Sequence, residues 1–282
     1  MHRVIMKNVT KDFKIGSQKN QGALSRVLSM ISGKEHREKI TVLKNVSFDI
    51  QGGECVGLIG DNGAGKSTLM RMMAGIYPIT KGKIRIKGNI VPIIGLGSGF
   101  QIRLTMKDNI YLVGSLFNMS RMSIKENFNS IVSFAELEDY VYTKLFQFSE
   151  GMRQRLAFSI AVHAKPEVLL LDEVFEIGDQ RFRKKSSEKI KELIQNGTLV
   201  LLVSHELWMI RKHCERVIWL KNGRVYRDGP TTEVLKEYTS TDGQAKNTIP
   251  GKESTKTPKP RHAPQPPLNK MEKERPVRKK YR

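Results

Sequence analysis

One short stretch constrains this chain more than any other part of it. Gly60-Asp61-Asn62-Gly63-Ala64-Gly65-Lys66-Ser67-Thr68 fits the pattern G-x-x-x-x-G-K-[ST] at every position. The aliphatic run Glu54–Gly60, entered through Gly52-Gly53, reads as a buried strand before it, and Leu69–Ala74 reads as a helix after it. Glycines let backbone N–H groups turn inward toward phosphate oxygens, and the helix from Lys66 points the positive end of its dipole at them. In such a loop Lys66 reaches the β- and γ-phosphates of a nucleotide, and Ser67 ligates Mg²⁺.

Further downstream, Val168-Leu169-Leu170-Leu171-Asp172-Glu173 reads as a second buried strand that ends in two acids. That suits a strand whose C-terminal end carries a Mg²⁺ carboxylate, Asp172, and a base-like partner, Glu173. Between the two lies Phe148-Ser149-Glu150-Gly151-Met152-Arg153, a turn opening a helix. A third aliphatic strand, Thr198–Val203, runs into Ser204-His205.

Composition narrows the class. The chain has 282 residues, 39% of them apolar, which is enough for a proper core and excludes a wholly disordered or collagen-like chain. Two cysteines, Cys55 and Cys214, cannot make a zinc site of the CxxC type and fit a reduced, cytosolic protein. The N-terminal residues have no apolar core of signal-peptide length, and no apolar run approaches the ~20 residues that span a bilayer.

Net charge is +21, with 49 Lys+Arg against 28 Asp+Glu. Residues 240–282 hold 12 Lys+Arg, 4 Asp+Glu and seven of the 11 prolines, and read as a disordered basic tail. The remaining +13 over the first 239 residues leaves the folded part basic in its own right. That fits an anionic partner, a membrane surface or a nucleic acid, or simply a solvated basic surface.

Phosphate loop, Ser-x-Gly helix start, Leu-Leu-Leu-Asp-Glu and Ser-His, in this order and spacing, resemble the ATP-binding subunits of ABC transporters over residues 1 to about 238. The resemblance implies an α/β fold: a P-loop NTPase ABC cassette with an antiparallel β subdomain and an inserted helical subdomain, plus the disordered tail. The implied domains are an ATP-binding domain over 1–239, with an insertion at 14–39 and the helical subdomain at about 105–150, and the tail 240–282. It further implies a head-to-tail dimer that sandwiches two ATP molecules. Gly60, Asp61, Asn62, Gly63, Ala64, Gly65, Lys66, Ser67 and Thr68 of one copy hold the triphosphate, and Ser149 and Gly151 of the other touch its γ-phosphate. Glu173 polarises the attacking water and His205 senses the γ-phosphate. Phe13 matches the aromatic that stacks on adenine, although an ordinary core aromatic beside a strand is the other reading. Gln101 is the nearest candidate for the glutamine that contacts Mg²⁺ and water, in a shortened loop.

A narrower likeness is carried by Ile94–Leu112, with Gly95, Gly97, Gly99, Phe100 and Leu104-Thr105, by Gly151-Met152, and by Glu173-Val174 followed by Ile177-Gly178-Asp179. These resemble the ATPase subunits of exporters of lipid-linked polysaccharide: teichoic acids, O-antigens and capsules. The likeness implies a separate integral-membrane permease, a lipid-linked glycopolymer handled through that permease, and a place at the cytoplasmic face of the cell membrane. An anionic membrane surface is a further candidate partner, through the tail or the basic 14–39 insertion, and no nucleic acid is expected. The competing class is a non-transport ABC ATPase acting on ribosomes or nucleic acid, which the charge invites. Translation-type members usually carry two cassettes in one chain, and DNA-repair members carry long coiled coils; neither pattern is present here.

Two departures stand out: Glu150 sits inside the signature turn in place of a small residue, and Glu176 replaces a small apolar one. In the helical region the pattern predicts helices over Lys107–Asn118 and Ser123–Glu138, the second opened by a capping box of Ser123 and Glu126. With the Gln101 loop these helices would form the groove that receives the permease. His163 and His213 lack a second ligand at metal spacing, and Trp208 and Trp219 are expected in the core.

Overall fold

The computed structural model describes residues 2–16, 37–95, 99–172, 180–204 and 206–246. Two sheets organise it. The first is antiparallel, ordered β2-β1-β4, from β1 (Arg3–Gly16), β2 (Arg37–Gln51) and β4 (Lys81–Lys87). The second is ordered β5-β6-β7-β3-β8-β9, from β3 (Cys55–Ile59), β5 (Ile90–Ile94), β6 (Val168–Asp172), β7 (Leu199–Val203), β8 (Arg216–Lys221) and β9 (Arg224–Pro230). All its pairings are parallel except β8 with β9.

The central strands are aliphatic without alternation because both faces are covered. All five residues of β3 and of β7 are buried. Successive side chains enter two separate cores. Val56, Leu58, Leu170, Leu201 and Val203 pack with the antiparallel sheet and with α1 (Lys66–Met73). Leu169, Leu171, Val200, Leu202 and Val217 pack with the helical layer α2 (Met106–Leu116), α3 (Arg121–Ala135) and α4 (Glu150–His163). Helices α5 (Gln180–Gln195), α6 (Leu207–His213) and α7 (Thr231–Lys246) complete the fold.

The inserted helical layer is present, with shifted boundaries. Thr105 caps α2 in a capping box with Asp108, and Asn118, in the left-handed region at φ 64°, redirects the chain beyond it. The expected box at Ser123 and Glu126 does not form. Ser120 caps α3 instead, its hydroxyl accepting the N–H of Ser123, so the helix starts two residues sooner, at Arg121.

Trp219 is buried, 2% exposed, with its ring edge-on to Tyr226 and Tyr238. Trp208 corrects the expectation: it is 51% exposed, because Met209, Ile210 and His213 take the inward face of the short α6. The ends of the 14–39 insertion continue β1 and β2, and Lys39 is ion-paired with Asp12 at 2.9 Å; residues 17–36 lie outside the described residues. Helix α7 runs through the 239/240 boundary to Lys246, the hydroxyls of Ser240 and Thr241 donating to the Glu237 carbonyl. Residues 247–282 lie outside the described residues. Among those that are described, no helix is long and apolar enough to cross a membrane.

Candidate functional site

β3 ends at Ile59 and delivers the chain into the glycine loop at the C-terminal edge of the parallel sheet, where open α/β sheets bind ligands. Two glycines are required by space as well as by dihedral. A Cβ on Gly60 (φ 145°) would stand 2.2 Å from the Leu220 carbonyl oxygen, and one on Gly65 (φ 105°) would stand 2.6 Å from Leu43 Cδ2. Gly65 is the N-cap of α1 and leaves the first N–H groups of the helix without a side-chain acceptor. No acidic residue occupies that first turn, so the end keeps its positive character. The Lys66 ammonium is buried at this end and donates to the carbonyls of Gly60 (2.6 Å) and Asp61 (3.1 Å). Asp61, Asn62 and Gly63 are exposed, and Ser67 and Thr68 are half-buried.

Sheet register brings Asp172 into the same constellation. Leu58 of β3 pairs with Val203 of β7, and Val203 pairs with Asp172 of β6. The three lie in one row, so Asp172 is two strand spacings from β3, about 10 Å. Residues in one row point to the same face, and Leu58 and Val203 pack on the α1 side. The Asp172 side chain therefore leaves β6 on the face that carries Ser67. This donor set fits Mg²⁺: one hydroxyl and one carboxylate suit a hard ion that fills its shell with water and nucleotide phosphates. Among the described residues no cluster of three His, Cys, Asp or Glu side chains could hold a metal without them. Glu173 and His205 lie outside the described residues. Next to His205, Ser204 is buried at the end of β7 and its hydroxyl accepts the N–H of Glu206.

Phe13 is half-buried on β1. Its ring meets Tyr77 edge-on at 5.5 Å, and the Lys11 ammonium lies 4.7 Å from its centroid. Gln101 is exposed on the loop before α2, and that loop is held by Asn109, which lies in the Ile94–Leu112 likeness but had no role assigned from sequence. Asn109 is fully buried. Its Oδ1 accepts the Gln101 N–H at 2.8 Å, and its Nδ2 donates to the carbonyls of Gln101, Leu104 and Thr105. The available signal was a polar residue on the inward face of α2, among Met106, Ile110 and Val113.

Ser149 and Gly151 open α4. The Ser149 hydroxyl accepts the Met152 N–H at 3.2 Å, and Arg153 fixes the turn by donating to the Phe148 carbonyl at 2.9 Å. Among the described residues beyond its chain neighbours and its own helix backbone, the atom nearest to where a Gly151 Cβ would be is the Ser149 hydroxyl, at 4.0 Å. The turn is thus a second helix N-terminus, presented to solvent away from the phosphate loop on the sequence.

Residues 43–176 match the family model described as ABC transporter. The O-antigen export system ATP-binding protein RfbE of Yersinia enterocolitica is 35% identical over 234 residues, spanning 81% of this chain and 98% of the relative. The chain belongs to the ABC transporter family. The teichoic acids export ATP-binding protein TagH of Lactococcus lactis is 38% identical over 82% of this ABC chain. The chain spans only 49% of TagH's own length, and 56% of that of an O-antigen export relative from Myxococcus xanthus. In architecture this ABC chain is similar to the dimeric post-hydrolysis structure of the ATP-binding cassette MJ0796 bound to ADP and Pi. The TM-score is 0.66 at 26% identity, over 81% of this chain and 98% of the other.

Proposed function

We propose that this ABC chain is the ATP-hydrolysing motor subunit of an exporter that moves a lipid-linked glycopolymer (teichoic acid, O-antigen or capsular polysaccharide) across the cytoplasmic membrane. A separate permease supplies the channel. The observation that carries the ATPase part is the row Leu58–Val203–Asp172, which joins the phosphate loop to a carboxylate on the α1 side of the sheet. The glycopolymer part is supported by the names of the relatives, an O-antigen and a teichoic acid export protein.

In this reading residues 1–239 form the ATP-binding domain, and two copies meet head to tail. Backbone N–H groups of Gly60–Thr68 and the Lys66 ammonium bind the triphosphate, with Lys66 exchanging its loop carbonyls for phosphate oxygens. Ser67 and Asp172, with Gln101 as a further candidate, would hold Mg²⁺, which would supply positive charge against the phosphate oxygens. The partner copy brings Ser149 and Gly151, whose helix N-terminus favours an anion. Glu173 polarises the attacking water, and His205 holds the γ-phosphate geometry. Phe13 stacks on the adenine from a ring pinned by Tyr77 and Lys11. The protein works at the cytoplasmic face of the cell membrane, bound to its permease.

The test is affinity purification of the tagged chain from detergent-solubilised membranes at moderate salt, with mass spectrometry of what co-elutes and ATPase assays of the product. A stoichiometric multi-spanning protein and activity abolished by Lys66→Ala are expected. Ribosomal proteins or salt-resistant nucleic acid in place of a permease would overturn the transport reading.

A further inference from the structure

The outer face of the antiparallel sheet carries a two-dimensional array of cations. In the central strand β1, Val4, Met6 and Val9 turn inward to the core shared with α1. Alternation therefore sends Arg3, Ile5 and Lys7 outward. Register sets Arg3 opposite Lys87, Ile5 opposite Arg85 and Lys7 opposite Lys83 on β4. Two of these three cross-strand pairs oppose cation to cation, an arrangement that destabilises a sheet. Asp49, opposite Ile5 on β2, is engaged by Arg3, whose Nε donates to its two oxygens at 2.8 and 3.1 Å. Lys7, Lys83, Arg85 and Lys87 make no ion pair among the described residues. Two shallow cavities flank Ile5, about 370 Å³ beside Arg3, Arg85 and Lys87 and about 210 Å³ beside Lys7, Lys83 and Arg85.

β4 is an edge strand, and edge lysines discourage pairing with another chain. That explains charge on β4. Arg3 is accounted for by its pairing with Asp49, but Lys7 is left unexplained, because a carboxylate there would serve solubility equally and pair favourably with Lys83.

We propose that this face docks on an anionic phospholipid bilayer. The proposal rests on the reading of the chain as a motor stationed at a membrane. The charges spread in two directions, at strand spacing across the sheet and two-residue spacing along it, which matches a planar field of headgroups. The outward residues on the three strands at this level, Ser47, Asp49, Gln51, Arg3, Ile5, Lys7, Lys83, Arg85 and Lys87, include no aromatic ring on which a nucleobase could stack. Among the described residues the face also presents no helix to enter a duplex groove.

The full chain would be sedimented with vesicles of phosphatidylcholine alone and of phosphatidylcholine with one third phosphatidylglycerol, at about 0.15 M salt. The face variant is Lys83→Gln/Arg85→Gln/Lys87→Gln. A control variant, Lys125→Gln/Lys184→Gln/Lys236→Gln, removes equal charge from exposed helical positions. The expected result is binding of wild type and control to anionic vesicles only, with the face variant weakened at least about tenfold and its ATPase rate unchanged. Equal binding by all three proteins, or equal loss in both variants, would overturn the proposal. So would a loss seen with a single-stranded RNA oligonucleotide but not with vesicles. Absence of ATPase activity in the wild type would refute the motor reading instead, and the two failures are read from separate assays.

Discussion

The sulfur atoms of Cys55 and Cys214 lie 3.4 Å apart in the core, one thiol donating to the other. They join the start of β3 to the turn between α6 and β8, and both are buried free thiols. The hydrogen bond with Cys55, and then burial, push the Cys214 thiol well above its ordinary value. Neither sulfur is a ready nucleophile in the folded chain. Iodoacetamide near neutral pH is expected to leave both cysteines unmodified in the native protein and to alkylate both in guanidinium. Fast alkylation of the native protein, seen by mass spectrometry, would contradict this packing.

Asn109 ties the Gln101 loop to α2 through four hydrogen bonds. Asn109→Leu leaves those loop groups without their partner and is expected to cost about 2–4 kcal/mol in denaturant unfolding. Gln101→Ala is expected to leave stability within about 0.5 kcal/mol, because the side chain is exposed. Both variants are expected to lower permease-coupled ATPase activity. A stable Asn109→Leu protein would remove the anchoring role.

Glu150 is exposed in the first turn of α4, where a carboxylate suits the helix dipole but, in the proposed dimer, would oppose an arriving γ-phosphate. Glu150→Ser is expected to cost at most about 1 kcal/mol of stability and to preserve or raise steady-state ATPase activity. A collapse of turnover in that variant would show that the carboxylate takes part in the reaction.

Burial, and then the charges of Lys212 and Lys191, lower the pKa of His213 from 6.5 to about 4. Its Nε2 lies 3.2 Å from the Ser187 hydroxyl. The unfolded chain takes up this proton near 6.5, while the folded chain stays neutral down to about 4. The contribution to stability is therefore complete above the unfolded value and is lost progressively as pH falls from 6.5 to about 4. His163, lowered first by burial, acts in the same direction. The melting temperature is expected to fall by a few degrees across that window, and His213→Gln is expected to make the fall shallower. An unchanged slope in His213→Gln would assign the acid sensitivity to other groups.

Much of this was legible because a phosphate loop constrains its own backbone. Gly60 and Gly65 are dictated by positive φ and by Leu220 and Leu43 pressing on them, so pattern and geometry coincide. Strands β3, β6 and β7 were legible as unbroken aliphatic runs. Which face Asp172 takes was not legible, since it depends on register with Val203, a relation between distant segments. The role of Asn109 was not legible for the same reason: its partners are loop carbonyls, which have no sequence signature. The start of α3 was misplaced because Ser120 and Ser123 are both capping types, and the choice falls to the hydroxyl that reaches an N–H.

The six-stranded sheet has an apolar core on each side, and the two parts of the proposed nucleotide site are seated on opposite ones. The phosphate loop and α1 rest on Leu58, Leu170, Leu201 and Val203, whereas the signature helix α4 rests with α2 and α3 on Leu169, Leu171, Val200 and Leu202. In the proposed reading a tilt of the helical layer would be taken up around Leu169, Leu171, Val200 and Leu202, on the side of the sheet opposite α1. In the proposed dimer the angle at which Ser149 meets its partner copy would then be set in one core and the seat of Gly60–Thr68 in the other.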